Sequence, residues 1–148
     1  MTNESEQQDP HRDGHNCFAC SPTNPIGLQI RFELDGDKCI GWFTPGPLHV
    51  GFDNVVHGGL LFTALDDVMA NLLYFNGEPA VTAKANIRYR QSARIGETLF
   101  LTGEVIERRR RVVKLVSRAV RETDGAIVCE ADATFMLDRV PAANSPSS

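Results

Sequence analysis

The chain has little of what several protein classes require. Its 148 residues include four cysteines, Cys17, Cys20, Cys39 and Cys129, one tryptophan and two tyrosines. Four cysteines are too few for a disulfide scaffold, and a cytoplasmic setting, the one expected here, keeps thiols reduced. No apolar run approaches the length that crosses a bilayer, and the opening "MTNESEQQDPHRDGHN" has no apolar export segment, so no membrane partner is expected. Positive charge is also in deficit: 15 lysines and arginines stand against 19 aspartates and glutamates, for a net charge of -4. Such a chain has no general attraction for nucleic acid or for anionic membranes, and any polyanionic ligand needs a local basic patch. The sequence G-x-S-x-G is absent as well, which removes the strand-to-helix serine nucleophile of one large hydrolase class.

What is present fits one ordinary folded unit, with 42% hydrophobic and 23% charged residues. Residues 1–14 are polar and the end "PAANSPSS" is rich in proline and serine, so flexible tails are expected at 1–14 and 141–148, flanking a single domain at 15–140. Within it "LQIRFEL" (Leu28–Leu34) alternates apolar and polar residues as a half-buried strand does, and "KCIGWFT" follows across the hairpin signal Asp35-Gly36-Asp37. From Gly58 to Phe75 the apolar residues Leu60, Leu61, Ala64, Leu65, Val68, Met69, Leu72 and Leu73 recur at spacings of three and four, a helix that Gly77 and Pro79 end. Strand patterns return at Val81–Arg90, Glu97–Glu107, Arg111–Arg121 and Ala126–Asp138. Two strands, one long helix and four strands predict an α+β domain in which one face of an antiparallel sheet covers the helix.

That helix carries two adjacent carboxylates in apolar surroundings. At 100° per residue Asp66 falls at the edge of the sector holding Phe62, Met69 and Leu73, whereas Asp67 is expected to point away from the centre of the apolar stripe. A half-buried, unpaired carboxylate costs energy and raises its own pKa, a cost that chains tolerate most readily at working sites. The competing reading is a structural aspartate paired with Lys84, Arg88 or Arg90 on the next strand. The helix start adds a second feature, because Val56-His57-Gly58-Gly59 offers backbone N–H groups with no side chain blocking an approaching oxygen. Gly58 and Asp66 are about 12 Å apart along one helix, so only two copies packed antiparallel bring such groups together, and a homodimer with shared sites is expected.

The stretch "VVHGGLLFTALDDVMA" resembles the helix signature of hotdog-fold acyl-CoA thioesterases of the 4-hydroxybenzoyl-CoA thioesterase superfamily, in particular a phenylacetate-pathway-like branch. There a His-Gly-Gly precedes a carboxylate nine residues after the histidine, the separation of His57 and Asp66. "NCFACSPTNPIGLQIRF" is similar to that branch's opening, and "GETLFLTGEVIERRRR" to its third and fourth long strands. The resemblance implies a long central helix wrapped by a curved antiparallel sheet of five to six strands. It further implies homodimers with continuous sheets, often dimers of dimers. It implies roles too: Asp66 as nucleophile or general base, and Gly59, with Gly58, as N–H donor to the thioester carbonyl. His57 and Asn54 shape that cradle, and Thr82 assists the carboxylate or its water. No cofactor is implied.

Three features stand beside this site. His15, Cys17 and Cys20 have the spacing of half a zinc site, but the second pair is missing and Cys39 and His49 are the only completions in view. The expectation is a packing motif without metal. Arg108-Arg109-Arg110-Arg111 reads either as a solvated hairpin or, with Arg88, Arg90 and Arg94, as a rim for the phosphates of coenzyme A. Trp42 and Phe43 read as sheet core or interface rather than a base-stacking platform. Two functions follow from the resemblance. One is an acyl-CoA thioesterase; the other is a non-catalytic acyl-CoA-binding or regulatory hotdog protein using the same groove without turnover.

Overall fold

The computed structural model describes residues 16–138, so His15 and the two tails lie outside the described residues. Eight strands and one long helix follow in chain order: β1 (Phe32–Asp35), β2 (Lys38–Phe43), β3 (Val50–Phe52), β4 (Val55–Val56), α1 (Gly58–Phe75), β5 (Ala80–Tyr89), β6 (Leu99–Arg109), β7 (Val112–Arg121) and β8 (Ile127–Leu137). Six of the strands form one antiparallel sheet in the order β1-β2-β6-β7-β8-β5. The α+β prediction therefore holds, with a small β3-β4 hairpin added that the patterning did not announce.

Helix α1 runs over the residues its periodicity predicts. Leu61, Ala64, Leu65, Val68, Met69, Leu72 and Leu73 are buried on it. They pack on alternate positions of the long strands, among them Leu99 and Leu101 of β6, Val113 and Leu115 of β7 and Ala133 and Phe135 of β8. The helix rides directly over β6 at Gly103, where a Cβ would stand 3.1 Å from the Val68 carbonyl oxygen, so a larger residue would press the helix backbone outward by a few tenths of an ångström. Register shifts between Thr82 and Lys84, between Val105 and Glu107 and between Ala119 and Val120 mark bulges, which bend the sheet around the helix.

The expected strand over Leu28–Leu34 is shorter than its alternation suggests. Gln29 adopts φ +55°, which ends the extended run, and Leu28 and Ile30 donate their N–H groups to Phe18 and Ala19 carbonyls instead of to a sheet neighbour. This ties the Cys17–Cys20 segment into the domain. Phe43 is core, whereas Trp42 is half exposed, packs on Phe100 and donates its indole N–H to Glu122 at 2.8 Å. Strand β5 forms an open edge of the sheet. Its residues Val81, Thr82, Ala83 and Lys84 are all exposed.

Candidate functional site

The start of α1 is held from three sides. Asp53 and Asn54 form the two-residue turn of the β3-β4 hairpin with φ +46° and +65°, the left-handed pair that such a hairpin turn requires and that short polar residues adopt most readily. Asn54 is exposed there, and its carbonyl accepts the Ile95 N–H. His57 caps the helix, its Nδ1 accepting the Gly59 N–H at 2.9 Å. The Leu60 and Leu61 N–H groups both turn back to the His57 carbonyl. Of the four N–H groups a helix start leaves over, Gly58 alone has no acceptor among the described residues. Tyr89, which the sequence reading did not single out, lies against Gly58 and donates its hydroxyl to the Gly58 carbonyl at 2.8 Å. A cavity of about 340 Å³ opens beside this start, lined by Val55, Gly58, Leu61, Tyr89 and Arg90 among others.

Eight residues further along the helix, Asp66 meets β5. Thr82 donates its hydroxyl to Asp66 Oδ1 at 2.6 Å. Burial pushes the Asp66 pKa above the usual carboxylate range, and the Thr82 hydrogen bond pulls it back in part. The pairing with Lys84, Arg88 or Arg90 does not form. Among the described residues no cation bridges Asp66, and Arg90 is engaged by Glu130 at 2.7 Å. Asp66 and Gly59 are about 10 Å apart by helical rise, so one copy of the chain does not focus both on a single atom.

Asp67 corrects the expectation that it turns away. It lies under the N-terminal segment, with Cys17 Sγ at 3.8 Å from its Oδ1 and the Asn71 amide donating to its Oδ2 at 2.8 Å. Burial lifts its carboxyl to about 7. The hydrogen bond from the Cys20 side chain holds Cys17 down at about 5, and the same contact pushes Cys20 up. The helical wheel placed Asp67 outside the stripe correctly; what the wheel omits is that residues 16–21 fold over that side. Cys39 is buried outside this cluster, its thiol pushed up to about 12 by burial, and His49 Nδ1 accepts the Gly46 N–H at 2.8 Å.

The arginines do not form one rim within the chain. Arg88 is exposed on the outer face of the sheet, in a polar depression of about 440 Å³ with Lys38, Glu104, Arg118 and Asp132. Arg108 is held bidentately by Glu78, both contacts at 2.8 Å, beyond the C-terminal end of α1. Arg109 and Arg110 are exposed at the β6-β7 turn, where Arg110 takes φ +60°. The helix, about 27 Å long at 18 residues, separates this group from Arg90 and Arg94 near its start.

A helix laid across a curved six-stranded antiparallel sheet, with β5 as an open edge, is the hotdog architecture, and the known proteins that resemble it agree. Residues 53–128, just over half of the chain, match the model of the thioesterase superfamily, and the chain belongs to that superfamily. A hypothetical thioesterase from Streptococcus pneumoniae TIGR4, solved with coenzyme A, is 19% identical with a TM-score of 0.70, over 76% of this chain and 91% of that one. A Streptococcus mutans protein solved bound to acetyl CoA is 19% identical with a TM-score of 0.70, over 82% of this chain and 100% of that one. A putative thioesterase from Ralstonia eutropha, described as phenylacetic acid degradation-related, is 24% identical with a TM-score of 0.69, over 80% of this chain and 92% of that one. At these identities the likeness is one of fold. No curated protein sequence matches.

Proposed function

We propose that the chain is an acyl-CoA thioesterase, hydrolysing R–CO–S–CoA to a free acid and the coenzyme A thiol, with sites shared between two copies. One observation carries this reading: a half-buried carboxylate, Asp66, bridged by no cation among the described residues and held by the Thr82 hydroxyl at 2.6 Å in a thioesterase-superfamily fold. Asp66 either takes the proton of the attacking water or itself attacks the thioester carbon. The oxygen that becomes negative is met by the Gly58 and Gly59 N–H groups of the second copy, at the positive end of its helix, with His57 and Asn54 shaping that end. Gly58 is ready for this role. Gly59 donates to the His57 ring, so it shares or exchanges that bond when substrate binds.

Support for two copies comes from β5. A ten-residue edge strand with Val81 64% exposed is an unguarded template for pairing, and a second β5 running antiparallel covers it while laying the two helices side by side in opposite directions. The same arrangement turns the Arg108–Arg110 end of one copy toward the helix start of the other, where Arg90 stands. Arg88, on the outer face of the sheet, lies apart from this group. The pairing of Asp66 with Thr82, as distinct from the number of copies, is supported by two other solved structures of the Streptococcus pneumoniae protein. One has an aspartate replaced by alanine and the other a threonine replaced by alanine sixteen residues later, the separation of Asp66 and Thr82.

A binding protein without turnover is favoured by one observation, the occupation of the Gly59 N–H by His57. A panel of aryl-, medium-chain and long-chain acyl-CoAs, read by release of the coenzyme A thiol, separates the two. Turnover of one class well above the solvent rate is the expected result. Tight binding of acyl-CoA with no thiol released assigns the chain to the binders.

A further inference from the structure

On spacing alone the Cys17–Cys20 pair lacks further ligands, and packing without metal is the expectation. The fold changes the donor count. One Sγ from Cys17, one from Cys20 and a carboxylate oxygen of Asp67 all lie within 4.8 Å of one another, although Asp67 is fifty residues from Cys17 in sequence. We propose that Cys17, Cys20 and Asp67 bind one divalent transition-metal ion of the zinc class, which staples the N-terminal segment to the middle of α1.

The separations suit such an ion. Bond lengths of about 2.3 Å to sulfur and 2.0–2.2 Å to oxygen at tetrahedral angles place ligand atoms about 3.5–3.8 Å apart. Cys17 Sγ already stands 3.8 Å from Asp67 Oδ1. The Cys17–Cys20 turn is held in place as well, closed by the Ser21 N–H on the Cys17 carbonyl at 3.0 Å.

A second layer of contacts orients the carboxylate. The Asn71 amide donates to Asp67 Oδ2 and to the Asp67 carbonyl, both at 2.8 Å, and lies 4.0 Å from Cys20 Sγ. Asn71 is 1% exposed, and its Oδ1 is buried with no hydrogen-bond partner among the described residues. A polar side chain locked behind a ligand in this way is what metal sites use to fix ligand direction.

The charge balance points the same way. The ion pairs involve Glu78, Glu97, Asp124 and Glu130, so among the described residues no side-chain cation meets Asp67. Two sulfurs and one carboxylate select a borderline-soft ion over magnesium or calcium, with a solvent oxygen in the fourth position, and binding releases the thiol protons to solvent. None of these groups is used by the proposed hydrolysis, so the site stands or falls independently of it.

Elemental analysis of protein purified without chelator, followed by cobalt titration of the chelator-stripped protein, tests the assignment. The expected results are one zinc per chain and one cobalt per chain, with a thiolate-to-cobalt charge-transfer band. Cys17→Ser and Cys20→Ser should each remove part of the band, and Asn71→Ala should weaken binding by about 10–100-fold. Stripping the wild-type protein should lower its Tm, and zinc should restore it, a readout independent of any variant's folding. Only traces of metal together with no charge-transfer band overturns the proposal. So does stoichiometric binding retained by the folded Cys17→Ser/Cys20→Ser double variant.

Discussion

The Thr82 hydroxyl on strand β5 donates to Asp66 Oδ1 in the middle of α1 at 2.6 Å, joining an edge strand to a half-buried carboxylate. A hydrogen bond to a charged group contributes about 1.5–3 kcal/mol, or about one to two decades in rate when it is expressed in the transition state. Thr82→Ala should therefore lower kcat by about that factor, with Thr82→Ser restoring most of it because the hydroxyl returns. Equal loss in both variants points to packing of the Thr82 methyl group instead, and removes Thr82 from the mechanism.

His57 is a helix cap whatever else it does, because its Nδ1 accepts the Gly59 N–H. Losing a cap costs about 0.5–2 kcal/mol. Chemical denaturation of His57→Ala should show a loss in that range, and His57→Asn, which offers a cap oxygen, should recover much of it. An unchanged midpoint in His57→Ala contradicts the capping role.

The shared-site arrangement follows from helical rise. Asp66 and Gly59 lie about 10 Å apart on one helix, while reacting atoms must come within about 3–3.5 Å. A chain with Asp66→Asn mixed with a chain carrying Gly59→Val should regain activity that neither parent has, because one of the two sites in each mixed dimer inherits both intact halves. Differential tags report whether mixed dimers form. If they form and stay inactive, Asp66 draws its oxyanion donors from its own chain.

Much of the fold is legible locally. The bounds of α1 follow from the three-and-four spacing of Leu60 to Leu73, and β5 to β8 fall within a few residues of the four long strand patterns, with short connections between them. The Leu28–Leu34 strand misleads because its alternation is real but the backbone at Gln29 turns left-handed, and its N–H groups are claimed by the preceding segment. Tyr89 and Asp67 were beyond reach for a related reason. Their surroundings are made by chain 31 residues away at Gly58 and 50 residues away at Cys17, and no helical wheel or strand period encodes which distant segment arrives. Arg108 belongs with them, since a run of four arginines gives no sign that one is claimed by Glu78.

Steady-state hydrolysis of the best acyl-CoA substrate by wild type and by Asp66→Asn, with binding of the same thioester measured in parallel, tests the central claim most directly. The substitution keeps size and an acceptor for Thr82 while removing the base or nucleophile. Turnover should fall by about two to four decades with the dissociation constant nearly unchanged and the fold intact by circular dichroism. Turnover by Asp66→Asn within a few-fold of wild type contradicts the assignment of Asp66 and the thioesterase mechanism built on it.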